Sequence, residues 1–189
     1  MKKTIYLAGG CFWGTQKYLD QLQGVLTTEV GFANGNTEAP TYEEVCHNNT
    51  GHAETVRVEY DAQQLPLARL LKFYFASINP TSLNRQGEDS GSQYRTGIYY
   101  VEAADRPVID RAMERLAARV AAPLAVEVAQ LPTHYQQPVM VECCRLRNYY
   151  PAEEYHQKYL EKNPTGYCHL DPALFDAAYD LSRKEPEEK

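Results

Sequence analysis

The chain alternates short apolar runs with polar, turn-rich segments, and the period of each run predicts an element. "TIYLA" (Thr4–Ala8) reads as a short buried strand that Gly9 and Gly10 end. A helix is expected from Phe12 to about Gln23: Tyr18 and Leu22 are one turn apart, Leu19 lies beside them, and Gly24 is a natural stop. "VLTTEVGFA" (Val25–Ala33) reads as a second strand, followed by a turn at "NGN". "ETVRVEYD" alternates through Val56, Val58 and Tyr60, the pattern of a half-buried strand. Leu65–Ile78 is apolar at helical spacing, with Pro66 acceptable in the first turn.

The long polar stretch "NPTSLNRQGEDSGSQY" reads as a loop, and long loops in compact domains are often functional. Thr96–Glu102 is expected as a strand, and Asp105–Val120 as an amphipathic helix with Asp105 at its N-cap. "LAVEVAQL" and "PVMVECCRL" are two further strand candidates separated by "PTHYQQ". Pro151–Asn163 reads as a helix with proline at its start, and "RKEPEEK" is expected to fray.

Strands and helices alternate irregularly, without GxGxxG, a Gly-Lys-Ser/Thr phosphate loop or an internal repeat. The expected fold is α+β, a two-layer sandwich of helices on a mixed, mostly antiparallel sheet, with a ferredoxin-like core and extensions. Residues 1–170 are expected to form a single catalytic domain, and 171–189 a polar C-terminal extension.

Composition narrows the function. The 189 residues are 43% hydrophobic and 23% charged, enough to bury a substantial core. A net charge of −6 without basic clusters argues against nucleic acid. No run approaches the roughly 18 apolar residues of a membrane span, and the apolar run after Lys2 and Lys3 is too short for a signal peptide. A cytoplasmic protein, away from membranes and expected to be a monomer, follows. Five unevenly spaced cysteines (Cys11, Cys46, Cys143, Cys144, Cys168) do not form a disulfide framework, and no Cys-x-x-Cys is present. No bound metal or cofactor is expected.

The candidate chemistry centres on "GGCFWG", Gly9–Gly14. A cysteine at a strand-to-helix turn lies near unpaired backbone N–H groups and the positive end of the helix dipole, which favour a thiolate. A buried structural cysteine is the plain alternative. Phe12 and Trp13 point about 100° apart on a helix, so at least one ring should lie near the turn as the wall of an apolar pocket. "YEEVCHNNTGHAE" (Tyr42–Glu54) reads as a loop leading to a strand, where Glu54 at a sheet edge could act as an acid near neutrality if burial raises its pKa, or could simply be exposed. His52 reads as a loop hydrogen-bonder and Cys46 as packed. A different thiol enzyme, a peroxidase or a cysteine hydrolase, is the competing reading; a hydrolase would need a histidine at Cys11, for which His52 is the best candidate. Cys143 and Cys144 read as structural, and Cys168, after proline and glycine, suits a resolving thiol.

Taken together, "GGCFWG" (9–14), "PTYEEVC" (40–46), "TGHAE" (50–54), "PTSLNRQGEDSGSQYR" (80–95), "YPAEEYHQKYL" (150–160) and "NPTGYCHL" (163–170) resemble the methionine sulfoxide reductase A family. The resemblance implies reduction of the S-epimer of methionine sulfoxide, free or in oxidised proteins. It implies Cys11 as nucleophile, with Phe12 and Trp13 as a pocket for the substrate methyl group. It places Tyr42, Glu54 and Tyr94 around the sulfoxide oxygen and Asp89 in a further polar contact. It also implies Cys168 as resolving cysteine, with thioredoxin or a small dithiol as external reductant. Nothing after Cys168 is cysteine, so a single resolving step is expected. One of the two strand-like runs between Pro123 and Leu146 is read as an insertion.

Overall fold

A computed structural model describes residues 1–121 and 138–184. The run "LAVEVAQL", "PTHYQQ" and the end of "RKEPEEK" lie outside the described residues. In chain order the strands are β1 (Lys2–Gly9), β2 (Val25–Ala33), β3 (Ala53–Asp61), β4 (Arg85–Gln86), β5 (Asp89–Ser90), β6 (Thr96–Tyr100), β7 (Glu142–Arg145) and β8 (Tyr149–Pro151). The helices are α1 (Phe12–Asp20), α2 (Tyr42–His47), α3 (Leu67–Ala76), α4 (Arg106–Ala121), α5 (Tyr159–Lys162) and α6 (Pro172–Arg183).

Six strands form one open sheet in the order β7-β6-β1-β3-β2-β8, and β4 pairs with β5 in a separate ribbon. Within the sheet, β1-α1-β2-β3-α3-β6 in the order β6-β1-β3-β2 is the ferredoxin-like core. The β7 and β8 strands extend its edges. All of its pairings are antiparallel except β6 with β7.

Period-two alternation divides the sheet into two faces. Ile5, Leu7, Val30, Phe32, Val56, Val58, Tyr60 and Ile98 meet Leu19, Leu70, Leu71, Ile109 and Leu116 of the helices in the main core. Truncating one fully buried leucine there, such as Leu71, costs about 2–5 kcal/mol. The other face carries a smaller cluster, Ala8, Ala33, Ala53 and Tyr99, with Tyr6 and Tyr149 against it. Glu54 shares the helix-side face with Val56, Val58 and Tyr60, so the alternation that builds the core also turns this carboxyl inward.

Four expectations change. The segment read as a loop at 42–47 is helix α2, started by a capping box: Thr41 Oγ1 accepts from Glu44 N (3.2 Å) and Glu44 Oε2 accepts from Thr41 N (2.8 Å). The helix expected over 151–163 is replaced by strand β8, a 3-10 turn at Glu154–His156 and the short α5. Gln157 causes the break by tying this segment to the sheet edge. Its Oε1 accepts from Val30 N (2.9 Å) and its Nε2 donates to Val30 O (2.8 Å), and Lys158 follows at φ 52°.

Asp105 does not cap α4; it sits in the preceding 3-10 turn and accepts from Lys3 Nζ at 2.8 Å. The polar extension contains helix α6, capped by Asp171, which accepts from Ala173 N (2.9 Å). Its Leu174, Phe175 and Ala178 pack on the main core. Among the described residues no helix is long and apolar enough to cross a membrane.

Candidate active site

The turn after β1 is built for one residue type. Gly10 has φ +86°, and a Cβ there would sit 2.7 Å from Gln86 Cβ. Gln86 is itself fixed by bonds to both backbone groups of Asn79 (2.8 and 2.9 Å), so it cannot retreat cheaply. Cys11 then takes the N-cap position of α1 (φ −55°, ψ 121°), with no side-chain capping bond. Thr15 Oγ1 closes the turn on the carbonyls of Gly9 (3.1 Å) and Cys11 (3.2 Å).

The free N–H groups of α1 are shared between two acids. Glu54 Oε2 accepts from Phe12 N at 3.0 Å, while the N–H groups of Trp13 and Gly14 face the Cys11 sulfur. Glu54 is 1% exposed, and its Oε1 has no hydrogen-bond partner among the described residues. Burial pushes its pKa up to about 8, against the pull of the Phe12 N–H and with help from the charge of Asp89. Its carboxyl is therefore protonated at neutral pH.

Burial is also the largest influence on Cys11, followed by the charge of Glu54, and together they push the thiol well above its usual range. The Trp13 and Gly14 N–H groups pull the other way and lose. The expected acidification by the helix terminus thus does not hold, because taking the sulfur out of water outweighs two amides and a partial dipole charge. Protonation of Glu54 removes its share of the opposition and leaves burial and the weaker charge of Asp89.

Tyr42 opens α2 and Tyr94 ends the 3-10 turn Ser92–Tyr94. Burial first, then the Glu54 charge, raises both phenols, so both remain hydrogen-bond donors. Tyr94 also feels the charges of Asp89 and Cys11, which brings the four groups to one place. Asp89, on β5, accepts from Tyr167 Oη at 2.9 Å.

The two aromatic residues divide. Phe12 is 1% exposed and packs with Phe32 and Tyr42 at ring separations of 5.7 and 6.2 Å. Trp13 is half-buried and stacks on Tyr159 at 3.8 Å. Its Nε1 donates to His156 Nδ1 at 3.2 Å. His156 lies 4.3 Å from the Tyr42 ring, and burial lowers its pKa, so its neutral form keeps Nδ1 as acceptor. Glu153 Oε1 accepts from Tyr42 N at 3.1 Å. His156, Tyr159 and Glu153 were not singled out from sequence, although "YPAEEYHQKYL" holds all three.

Cys168 and His169 reach α1 at Gly14, three residues after Cys11 on the same helix face. A Cβ on Gly14 would lie 3.0 Å from Cys168 Sγ and 3.0 Å from His169 Nδ1. His169 Nε2 bonds Gly9 O at 3.0 Å, which leaves Nδ1 unprotonated in the neutral ring and without a partner. All five cysteines are free thiols. Cys144 is exposed and accepts from Asn34 Nδ2 (3.4 Å), while Cys46 and Cys143 are half-buried. His52 is committed elsewhere: Nδ1 accepts from Gly35 N (3.1 Å) and Nε2 donates to Thr37 O (2.9 Å). It does not serve Cys11, so it is not the base a hydrolase would need. Among the described residues no group of three acids, histidines or cysteines is placed to hold a metal.

A thiol that gives an electron pair, a neutral carboxylic acid that gives a proton, and a second thiol one turn away suit one class of chemistry. They suit reductive removal of oxygen by a thiol oxidoreductase. The chain belongs to the peptide methionine sulfoxide reductase family, whose model matches residues 3–187. It is 54% identical over 178 residues to peptide methionine sulfoxide reductase MsrA of Lachnoclostridium phytofermentans, covering 94% of this chain and 98% of that protein. It is 50% identical over 174 residues to MsrA of Clostridium acetobutylicum, covering 92% and 98%. Among solved structures, methionine sulfoxide reductase A of Corynebacterium diphtheriae superposes with a TM-score of 0.77 at 37% identity, over 88% of this chain and 77% of that one. Reduced Mxr1 of Saccharomyces cerevisiae gives 0.76 at 33%, over 90% and 91%. As a member of this family, the chain is an oxidoreductase that reduces methionine sulfoxide.

Proposed function

We propose that Cys11 reduces the S-epimer of methionine sulfoxide, free or in oxidised proteins, with Glu54 as proton donor. The observation that carries this reading is the unpaired Oε1 of a buried, protonated Glu54 beside the Cys11 sulfur. A sulfoxide oxygen leaves sulfur poorly unless it is protonated. Glu54 supplies the proton while Tyr42 and Tyr94 donate hydrogen bonds as charge builds on that oxygen. Trp13, with Phe12 behind it, walls the substrate methyl group, and Asp89 with Tyr167 borders the site.

The steps balance. The Cys11 sulfur attacks the substrate sulfur, its thiol proton passing to Glu54 as Glu54 protonates the sulfoxide oxygen, and that oxygen then moves to Cys11. The substrate S–O bond breaks, methionine leaves, and Cys11 carries a sulfenic acid. The substrate sulfur is reduced and Cys11 oxidised. Cys168 then attacks the Cys11 sulfur, the S–O bond breaks, and oxygen leaves as water with the Cys168 proton. The unpaired Nδ1 of His169 is placed to take that proton in passing. An external dithiol, thioredoxin, returns both cysteines to thiols. Five free thiols suit the reducing cytoplasm.

The test is an assay on separated sulfoxide epimers. The S-epimer should be consumed and the R-epimer left; consumption of both, or of R alone, overturns the specificity. Cys168→Ser should yield about one methionine per enzyme and then stop with thioredoxin. Continued thioredoxin-driven turnover would move the resolving role to another cysteine.

A further inference from the structure

Glu54 and Tyr94 have to meet one oxygen atom, yet they come from distant parts of the chain. The sheet does not fix their spacing. Glu54 is on β3, Tyr94 ends the turn that leads into β6, and β1 lies between those two strands. At this end of the sheet the ladders stop. The β1–β3 pairing runs no further than Leu7 with Val56, and the β1–β6 pairing no further than Gly9 with Thr96. Among the described residues no backbone hydrogen bond joins the start of β3 to the turn Ser92–Tyr94.

Arg95 spans the gap with its side chain. Its Nη1 donates to Ser92 O (2.9 Å), at the opening of the Tyr94 turn. Its Nη2 donates to Gly51 O (3.0 Å), three residues before Glu54. Its Nε donates to Glu142 Oε2 (3.0 Å) on β7, and that oxygen also accepts from Tyr99 Oη (2.8 Å). All three guanidinium nitrogens are used, and the side chain is 12% exposed. A planar fork sets these directions; an ammonium on a flexible stem does not.

The two ends of the clamp differ in stiffness. His52, next to Gly51, is itself bonded to Gly35 N and Thr37 O, so the loop before Glu54 is held from its far side as well. The Tyr94 turn has no such second anchor among its backbone bonds, which run only to Gly91 and Ser92. The ion pair with Glu142 alone would serve stability. The two carbonyls that Arg95 also takes belong to the two segments that carry the donors.

We propose that Arg95 is a positioning residue for the reduction step: it fixes the Tyr94 hydroxyl against the Glu54 carboxyl, so that both reach the sulfoxide oxygen together. The proposal rests on Glu54 and Tyr94 serving that oxygen. Arg95 acts through them and gives nothing to the reacting atoms. A displacement of about 1 Å at such a pair costs on the order of 100-fold in rate. The bonds it aligns strengthen as charge builds on the oxygen, so its loss falls on kcat and leaves KM unchanged.

The test is single-turnover reduction of S-methionine sulfoxide by Arg95→Lys, Tyr94→Phe and the double variant, timing methionine release and disulfide formation separately. Arg95→Lys should slow methionine release about 10- to 100-fold at saturating substrate, with the half-saturating concentration unchanged. Disulfide formation, which uses Cys11 and Cys168 but not Tyr94, should stay within about twofold and shows that the variant is folded. In the Tyr94→Phe background, Arg95→Lys should cost no more than about threefold further, because its effect passes through the missing hydroxyl. If Arg95→Lys does not fold, Glu142→Ala, which loosens the arginine without removing it, should show the same pattern in weaker form. The proposal is overturned if methionine release keeps its wild-type rate, if both steps slow equally, or if the two losses multiply in the double variant. Wild-type methionine release by Tyr94→Phe alone would instead sink the role of Tyr94, and the proposal with it.

Discussion

Glu54→Gln should make the protein more stable at neutral pH while it destroys the acid. The unfolded-state value for a glutamate here is 4.5 and the folded one about 8. The folded chain therefore holds this proton more tightly than the unfolded chain does. Stability from this group is fully present below about pH 4.5 and is lost as pH rises towards 8. One pH unit of difference corresponds to about 1.36 kcal/mol, so the 2.5 units between 4.5 and pH 7 amount to about 3 kcal/mol. No solvent screening reduces this figure, because the carboxyl is fully buried.

Glutamine keeps the shape, and its Oε1 can still accept from Phe12 N, but it has no proton to lose. Urea denaturation of both proteins at pH 5 and pH 8 measures the effect. The advantage of the variant should grow by about 3 kcal/mol between the two. Parallel pH dependences would refute the reasoning, because Glu54 would then titrate alike in both states and could not be the neutral acid.

Other outcomes follow from the same geometry. The first chemical step of Glu54→Gln, read as methionine released in a single turnover, should slow by about 10²–10⁴-fold, with disulfide formation much less affected. Gly14→Ala should spare that first step and slow disulfide formation, since its Cβ would press on Cys168 Sγ and His169 Nδ1 at 3.0 Å; rapid quench with mass spectrometry separates the two rates. Gly10→Ala should cost about 1–3 kcal/mol by thermal denaturation, for its φ of +86° and its collision with Gln86. His156→Phe removes the acceptor of the Trp13 indole and should raise KM more than it lowers kcat; unchanged KM would detach His156 from the substrate wall.

The parts of the site carried by local pattern were legible in the sequence. Alternation in "ETVRVEYD" extends back to Glu54 and turns it towards the helices, and the glycines before Cys11 mark a turn at a helix start. The capping box at Thr41 and Glu44 is also legible as Thr-x-x-Glu. What lay beyond reach depends on distant partners. Gln157 holds Val30 across 127 residues and so breaks a helix that the local pattern favours. His156 gains a role only because Trp13 lies opposite it. The acidity of Cys11 turns on burial, a property of the whole fold, and burial outweighs the helix terminus that the sequence displays.

The most direct measurement is the chemical state of Cys11 after one turnover. Cys168→Ser protein, exposed to S-methionine sulfoxide and quenched with a sulfenic-acid trap, should carry the adduct on Cys11 with one methionine released per chain. The account is contradicted if Cys11→Ser still releases methionine, or if the trapped adduct lies on Cys46, Cys143 or Cys144.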